Sequence, residues 1–507
     1  MGNFTDQNLY DFLKAGFPAA PRTPCMLLPD GSVITYGMID EQSARFANLL
    51  VALGVRPGDR VAVQVKKSPR ALCLYLGSLR AGAVYLPIND AYLANEVEYF
   101  LADAEPRVFV CAPQACAMAE KAASKAGVSH VVELDGDGEG SLARKADTQP
   151  GNFSKSLSGG DDLGAILYTS GTTGRSKGAM LSHRNLAVNG EALKNHWGFG
   201  PGDVLLHMLP IFHVHGLFVA THCVLLSGGR MFFEPRFDTA RALRLLPRST
   251  VFMGVPTYYA RLLAAPELTP ELCSNMRLFV SGSAPLSIET FEKFTTVTGH
   301  TVLERYGMTE GGMFCSNPLV GKRRGGTVGF PLEGVSVRVA GDNNQPAGTG
   351  QIGEVQVKGD NIFRGYWRLP DKTKEEFTPD GFFKTGDMGK WDADGHLAIV
   401  GRSKDIVITG GLNVYPKEVE EAIDKMSGVA ESAVIGTPHP DFGEAVTAVI
   451  VKTKDELGAA LTEGAVIGFI KGNLANFKVP KKVHFATELP RNTMGKVQKN
   501  ILRQMFE

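Results

Sequence analysis

The stretch Tyr168-Thr169-Ser170-Gly171-Thr172-Thr173-Gly174-Arg175-Ser176-Lys177-Gly178 gathers hydroxyls, glycine amides and two cations in one loop. Such a loop suits a polyphosphate: backbone N–H groups and hydroxyls donate to phosphate oxygens, and Arg175 and Lys177 offset their charge. It is not a Walker A loop, because Gly171 and Gly174 lie too close together and Lys177 is followed by Gly178. By itself a Gly/Ser/Thr cluster is as often a flexible surface turn. Here regular elements flank it. Leu163 to Leu167 reads as a short buried strand, and Ser182 is placed to N-cap a helix from His183 to Trp197.

Further clusters follow in order: Tyr306-Gly307-Met308-Thr309-Glu310, Thr385-Gly386-Asp387, Gly401-Arg402-Ser403-Lys404-Asp405, Gly410-Gly411 and Pro490-Arg491-Asn492-Thr493-Met494-Gly495-Lys496. With the loop, and with Gly82-Ala83-Val84-Tyr85-Leu86-Pro87-Ile88-Asn89 nearer the start, they resemble the signatures of the adenylate-forming (ANL) superfamily of acyl-CoA synthetases, luciferases and carrier-protein adenylation domains. The resemblance covers nearly the whole chain. It implies a large amino-terminal domain of layered α/β sheets with a β-rich subdomain, and a small, mobile α+β carboxy-terminal lid. It also implies the chemistry: a carboxylate attacks the α-phosphorus of ATP, pyrophosphate leaves, and the thiol of CoA then attacks the mixed anhydride. Negative charge develops on oxygen in both steps, so placed cations and Mg²⁺ supply much of the acceleration.

The resemblance assigns roles residue by residue. Lys496 bridges the attacking carboxylate and the α-phosphate, although a lysine in isolation is most often a solvated surface residue. Glu310 is the Mg²⁺ ligand, a hard oxygen donor for a hard cation, and Thr309 offers its hydroxyl to the α-phosphate. Thr169, Ser170, Gly171, Thr172, Thr173, Gly174 and Lys177 cradle the phosphates of ATP, while Gly282, Ser283, Ala284, Tyr306, Gly307 and Met308 surround the adenine. Tyr306 offers a stacking face, yet by pattern it is equally a core aromatic. Asp387 accepts the ribose hydroxyls and Arg402 adds contacts nearby; an Asp387–Arg402 ion pair is compatible with both roles. Lys404 is the hinge. Gly410 and Gly411, which are otherwise a simple turn, border a pantetheine tunnel after the lid rotates.

Arg305 bears on which acid is activated. An unpaired guanidinium beside an acyl pocket is costly for a fatty tail but suits a second carboxylate, which it grips through two hydrogen bonds. Glu304-Arg305-Tyr306-Gly307-Met308-Thr309-Glu310, Pro210-Ile211-Phe212-His213-Val214-His215-Gly216-Leu217 and the Arg175-Ser176-Lys177-Gly178 ending are similar to malonyl-CoA and methylmalonyl-CoA synthetases. The other reading of Arg305 is an ion pair with Glu304. His213, where the family keeps a gating side chain, and Ser281 join Arg305 as carboxylate contacts, with His207 and Arg236 as secondary candidates. Gly311 stands where close relatives often have Thr. The expected activity is malonate–CoA ligation giving malonyl-CoA, AMP and diphosphate, with methylmalonate as second substrate. The alternatives are a CoA ligase for another short or aromatic carboxylate, a stand-alone adenylation domain loading a carrier protein, a nucleotide-binding pseudoenzyme, and a luciferase-like oxidase.

The elements that must position these residues agree with that reading. A chain of 507 residues, 44% hydrophobic and 21% charged, is long enough for more than one domain. Lys+Arg and Asp+Glu are both 53, so no basic excess points to nucleic acid or an anionic membrane. Seven cysteines without C-x-x-C spacing argue against a disulfide framework or zinc site and favour a reducing cytoplasmic setting. No secretory or transit signal opens the chain, Asp6 spoils a myristoylation match, and the longest apolar run, Leu217 to Leu226, is too short to span a bilayer.

Val61 to Val65 reads as a strand and Ser68 to Ala81 as a helix; Asp135 to Gly160 reads as a surface connection, and Ala340 to Thr349 and Val355 to Phe363 as strands and turns of a β-rich subregion. From Lys404 the pattern is that of a compact α+β unit. Pro416 opens a helix with Val419, Ile423 and Met426 on one face and Gly428 as its stop. Strands follow at 430–436, 445–452 and 483–486, with helices at 463–475 and 497–506. The domains are therefore expected at 1–403 and 404–507. The resemblance further implies that a lysine acetyltransferase and deacetylase act on Lys496, whose loop reads as basic and exposed. The chain carries no mark of its oligomeric state.

Overall fold

The computed structural model describes residues 6–154, 156–169, 176–341, 344–492 and 495–506. One sheet has six strands, in the order His130–Glu133, Val108–Cys111, Arg60–Gln64, Val84–Pro87, Leu163–Thr169 and Lys177–Ser182. Its pairings are parallel except the last, an antiparallel hairpin in which Thr169 faces Lys177 and Tyr168 faces Gly178. Val108–Cys111 and Val84–Pro87 are buried throughout, as their unbroken apolar runs require. The helix Pro69–Arg80 begins after Ser68, whose Oγ accepts the Ala71 N–H, as the sequence implied.

Lys177–Ser182 is a strand that the sequence reading lacked. This strand pairs with Leu163–Thr169 and leads directly into the helix His183–His196. The cap at Ser182 is reciprocal: its Oγ accepts the Asn185 N–H, and Asn185 Oδ1 accepts the Ser182 N–H. The connection Asp135 to Gly160 also holds more structure than expected, a helix Ser141–Asp147 that buries Leu142, Ala143 and Ala146. Arg45 Nη1 ties it down by donating to Asp147 O at 2.7 Å.

A second sheet of nine strands runs Phe330–Pro331, Gly312–Ser316, Leu303–Met308, Leu278–Ser281, Val251–Gly254, Val204–His207, Arg230–Phe233, Pro24–Leu27 and Val33–Thr35. The apolar run after Pro210 forms a π-helix, His215–Ala220, continued by the α-helix Thr221–Ser227. A Cβ on Gly216 would lie 2.0 Å from Pro210 O, so only glycine lets the chain turn back here. Among the described residues no helix is long and apolar enough to cross a membrane. All seven cysteines carry free thiols.

An antiparallel sheet of Val335–Ala340, Gly353–Gly359, Phe383–Trp391 and Leu397–Arg402 forms the β-rich region. Beyond it, Leu412–Val414, Val407–Thr409, Gly443–Lys452 and Val429–His439 form a further sheet, with Lys482–Ala486 parallel to Gly443–Lys452. The helix Pro416–Ile423 packs Val419 and Ile423 into a core of its own with Val407, Val434, Val446 and Ile470. This part of the chain touches the rest at several places, two of which show how it is seated. Lys417 Nζ donates to Ile399 O at 2.7 Å, and a Cβ on Gly495 would meet Thr257 Cγ2 at 3.1 Å.

Candidate active site

Arg305 lies on the strand Leu303–Met308 and is only 5% exposed. Its Nε and Nη2 are buried without a hydrogen-bond partner. Burial pushes the guanidinium down to about 9, the cost of enclosing an unmatched cation. The space it occupies exists because residue 282 is glycine: a Cβ there would lie 2.2 Å from Arg305 Cζ. Around it the polypeptide leaves further polar atoms unfilled. Ser281 Oγ and His215 Nε2 are also buried without partners. His215 Nδ1 pairs with Ser283 Oγ at 3.2 Å, and Ser283 has a φ of 70°, a left-handed conformation costly for serine. His213 Nδ1 accepts the His215 N–H at 3.3 Å. Burial, helped by Arg305, holds His213 at about 4 and His215 well below its ordinary value, so both imidazoles are neutral near pH 7. Neutral donors and one forked cation converge on a region suited to an anion.

Glu304 does not pair with Arg305. Successive strand residues point to opposite faces, and the Glu304 carboxylate instead accepts the Gly326 N–H at 3.1 Å. Burial raises it to about 7, with Lys417 opposing the shift and Glu421 adding to it. A carboxyl raised in this way stabilises the fold below its unfolded value, and that contribution is lost as pH rises through about 7. Glu304→Gln is accordingly expected to raise the calorimetric Tm relative to wild type at pH 8, by the equivalent of roughly 2 kcal/mol, and to change little at pH 5. An equal shift at both values would refute this reading of Glu304. Asp424, also raised to about 7 by burial, titrates in the same direction and is common to both proteins.

The nucleotide-facing candidates form a second cluster. Asp387 is 5% exposed and sits on Phe383–Trp391, opposite Arg402 on the neighbouring strand. Its Oδ1 meets Arg402 Nε at 2.9 Å and its Oδ2 accepts the Tyr306 hydroxyl at 2.7 Å. The ion pair foreseen as an alternative is therefore present, and a carboxylate keeps further lone pairs for hydroxyl donors. The Tyr306 ring is half-buried and meets Phe314 edge-on at 5.6 Å. Gly307 sits in the tight hairpin that follows, where a Cβ would lie 2.0 Å from Gly312 O. Met308 ends the strand, Thr309 occupies the turn, and Gly282 and Ala284 flank Ser283 at the neighbouring strand end.

Lys496 joins this cluster from the carboxy-terminal part of the chain. Its loop is closed by Asn492 N–H to Lys496 O at 3.0 Å and Lys496 N–H to Asn492 Oδ1 at 2.9 Å, with Gly495 at a φ of 74°. Burial and then Arg402 pull the ammonium down to about 8, while Asp387 and Asp405 act against them. The loop looked exposed in sequence, but this side chain is half-buried.

Glu310 is 5% exposed, and burial raises its carboxyl above the usual range. Its backbone carbonyl accepts the Phe363 N–H at 2.8 Å, and its Oε1 accepts the Tyr366 hydroxyl at 3.0 Å, the one side-chain donor to it among the described residues. Among those residues no three metal-ligating side chains cluster. A lone carboxylate fits Mg²⁺, which keeps waters and phosphate oxygens, and does not fit a metal that needs an all-protein cage.

Of the phosphate-loop candidates, Ser170, Gly171, Thr172, Thr173 and Gly174 lie outside the described residues. Thr169 and Lys177 pair across the hairpin base, with Thr169 Oγ1 donating to Lys177 O at 3.4 Å. Lys404 lies in a short turn, Ser403–Asp405. Gly410 and Gly411, at φ of 56° and 78°, make the two-residue turn between Val407–Thr409 and Leu412–Val414 and are exposed here.

Two secondary candidates find other places. His207 is structural: Lys67 Nζ donates to its Nδ1 at 2.8 Å, and its Nε2 donates to Gly216 O at 3.0 Å. Arg236 lines a cavity of about 230 Å³ with Lys67, Asp90, Phe212 and Tyr258. Gly311 has no room for a threonine, since a Cβ would meet Phe314 Cε1 at 2.5 Å.

The AMP-binding enzyme model matches residues 16–367, and the AMP-binding enzyme C-terminal domain model matches residues 418–496. Malonate–CoA ligase of Arabidopsis thaliana is 32% identical, across 99% of this chain and 89% of that protein. Among solved structures, ATP-bound MatB from Rhodopseudomonas palustris is 52% identical with a TM-score of 0.96, across 99% of each chain. The apo form of MatB gives 0.85 at the same identity and coverage. The chain thus belongs to the family of AMP-binding enzymes, within the adenylate-forming superfamily.

Proposed function

We propose that this protein ligates malonate, and methylmalonate as a second substrate, to CoA through an acyl-adenylate, releasing AMP and diphosphate. The observation that carries the choice of acid is the buried guanidinium of Arg305 with Nε and Nη2 unfilled. Only a substrate with a second anionic group satisfies it; a hydrocarbon tail would leave the charge buried and unmatched. His213 and Ser281 are assigned with Arg305 to that distal carboxylate. The likeness to the Arabidopsis thaliana malonate–CoA ligase supports the same acid.

In this reading the segment from Thr169 to Lys177 takes the phosphates of ATP, and Asp387 takes the ribose hydroxyls. Gly282, Ser283, Ala284, Tyr306, Gly307 and Met308 enclose the base, with Arg402 beside the ribose. Thr309 donates to the α-phosphate. Glu310 would hold Mg²⁺, which offsets phosphate charge when bound. The Lys496 ammonium lies between the attacking carboxylate and the α-phosphate and stabilises the charge that develops there. The better match to the ATP-bound than to the apo relative supports taking the present arrangement as the adenylate-forming one.

Lys496 has to withdraw before the thiol attacks. We assign the domains to 1–403 and 404–507, with a rotation about Lys404 that brings the exposed Gly410-Gly411 turn to the site. Gly410→Trp is then expected to leave pyrophosphate release unchanged and to slow thioester formation at least tenfold, measured in separate half-reaction assays; equal losses in both would contradict the rotation. A lysine acetyltransferase and deacetylase acting on Lys496 would gate the first step by removing its charge. The free thiols support a cytoplasmic location.

The direct test is product identification. Protein incubated with malonate, ATP, Mg²⁺ and CoA should yield malonyl-CoA, AMP and pyrophosphate in equal amounts by mass spectrometry; formation of ADP, or absence of malonyl-CoA, would overturn the proposal.

A further inference from the structure

The segment Arg364 to Trp367 was silent in sequence, yet it touches both halves of the phosphate site. It adds to the outer edge of Lys177–Ser182, the last strand of its sheet. Arg364 N–H donates to Met180 O at 2.8 Å, Met180 N–H to Gly365 O at 3.0 Å, and Trp367 N–H to Gly178 O at 2.7 Å, with Tyr366 bridged to Ala179. The register of Tyr366 is thereby locked to the limb of the hairpin that ends in Lys177.

The side chain then reaches two ways. Its ring lies 4.0 Å from Lys177 Nζ, within cation–π range, while Glu376 Oε1 sits 3.7 Å from the same ammonium. Its hydroxyl donates to Glu310 Oε1 at 3.0 Å. The residue is 4% exposed, its own N–H is bonded to Thr373 Oγ1 at 2.9 Å, and Phe363 packs edge-on against it at 4.9 Å while holding the Glu310 carbonyl. An aromatic ring held at both ends has little freedom left, so its hydroxyl fixes the rotamer of Glu310. With one oxygen occupied by Tyr366, the carboxylate presents the other.

We propose that Tyr366 is a positioning residue for the adenylation step, aligning Glu310 for the metal–phosphate complex and holding Lys177 over its ring in register with that carboxylate. This rests on the assignment of Glu310 as the Mg²⁺ ligand. Outer hydrogen bonds of this kind orient a ligand and set its affinity, and losing one costs about 10- to 100-fold.

The test uses Mn²⁺ as the probe, with binding to the full-length protein in the presence of ATP read by electron paramagnetic resonance and without any acid present. Tyr366→Phe keeps the ring and removes the hydroxyl. It should weaken Mn²⁺ binding about tenfold, leave ATP binding without metal unchanged, and leave thioester formation from supplied malonyl-adenylate unchanged. Tyr366→Leu removes the ring as well and should also weaken metal-free ATP binding through Lys177. If Glu310→Gln weakens Mn²⁺ binding while Tyr366→Phe does not, the proposal fails and the assignment of Glu310 stands. If neither variant weakens it, both fail. A loss in both half-reactions together with a lowered Tm in Tyr366→Phe would mark a merely structural residue and would also overturn the proposal.

Discussion

Arg305→Ala is expected to lower kcat/KM for malonate by about a thousandfold, within the range that follows from stripping a buried carboxylate of a bidentate cation partner. The loss should fall mainly on KM, because the distal carboxylate is bound before and during adenylation alike. Propionate, which lacks that carboxylate, should be turned over no worse than by wild type. Arg305→Lys restores the charge without the planar fork and should recover only part of the loss. The same residue carries a stability signature. In the ligand-free protein the guanidinium is buried with two nitrogens unfilled, so Arg305→Met, of similar volume, should raise Tm while removing malonate activity. Malonate itself should raise the Tm of wild type and leave that of Arg305→Met unmoved. Unchanged malonate kinetics in Arg305→Ala would return this arginine to a purely structural role.

Lys496→Ala should reduce pyrophosphate release by a factor on the order of 10³, the scale for removing a donor aimed at developing charge. Thioester formation from supplied malonyl-adenylate should survive if the proposed rotation withdraws the lysine before the thiol attacks. The surroundings are consistent with that role: the side chain is half-buried, and burial and then Arg402 lower the ammonium to about 8 against the pull of Asp387. It is protonated below that value, and the developing phosphate charge favours the protonated form further. Protein acetylated at Lys496 should behave as the alanine variant does, and treatment with a deacetylase should restore it. Loss of both half-reactions in a folded Lys496→Ala protein would contradict the assignment.

What could be read from the chain and what could not separates along physical lines. The longer elements of the carboxy-terminal unit are legible because their signals are local, while the short strands Val407–Thr409 and Leu412–Val414 and the helix Glu456–Ala460 carry too few residues to show a period. Pro416 starts its helix and Val419 and Ile423 fill one face, but the helix ends at Ile423 and leaves Met426 beyond it, and the strand ending at Lys452 is buried without a break from Ala445 to Ile450. The strand Lys177–Ser182 has no two-residue alternation to mark it, with burial in pairs, and it runs without a break into the helix that Ser182 caps. Arg305 announced itself by type and neighbourhood, but only the fold shows that Glu304 turns away from it toward Gly326. His207 misled because its partner, Lys67, lies 140 residues away in sequence. Tyr306 was read for its ring, while its hydroxyl proves to be bonded to Asp387. Tyr366 and His215 carried no separate signal; each matters through a single unfilled or shared hydrogen bond that no pattern in one sequence encodes.

The central claim is that a second anionic group is what this site selects. Its most direct test is the ratio of kcat/KM for malonate to that for propionate, by pyrophosphate release from wild-type protein with ATP, Mg²⁺ and CoA. The two acids are close in size, and the distal carboxylate is the principal difference between them. The account predicts a ratio of about 10³ or more in favour of malonate, the size expected when a buried guanidinium is matched in one complex and left unmatched in the other. A ratio near one, or a preference for propionate, would contradict it.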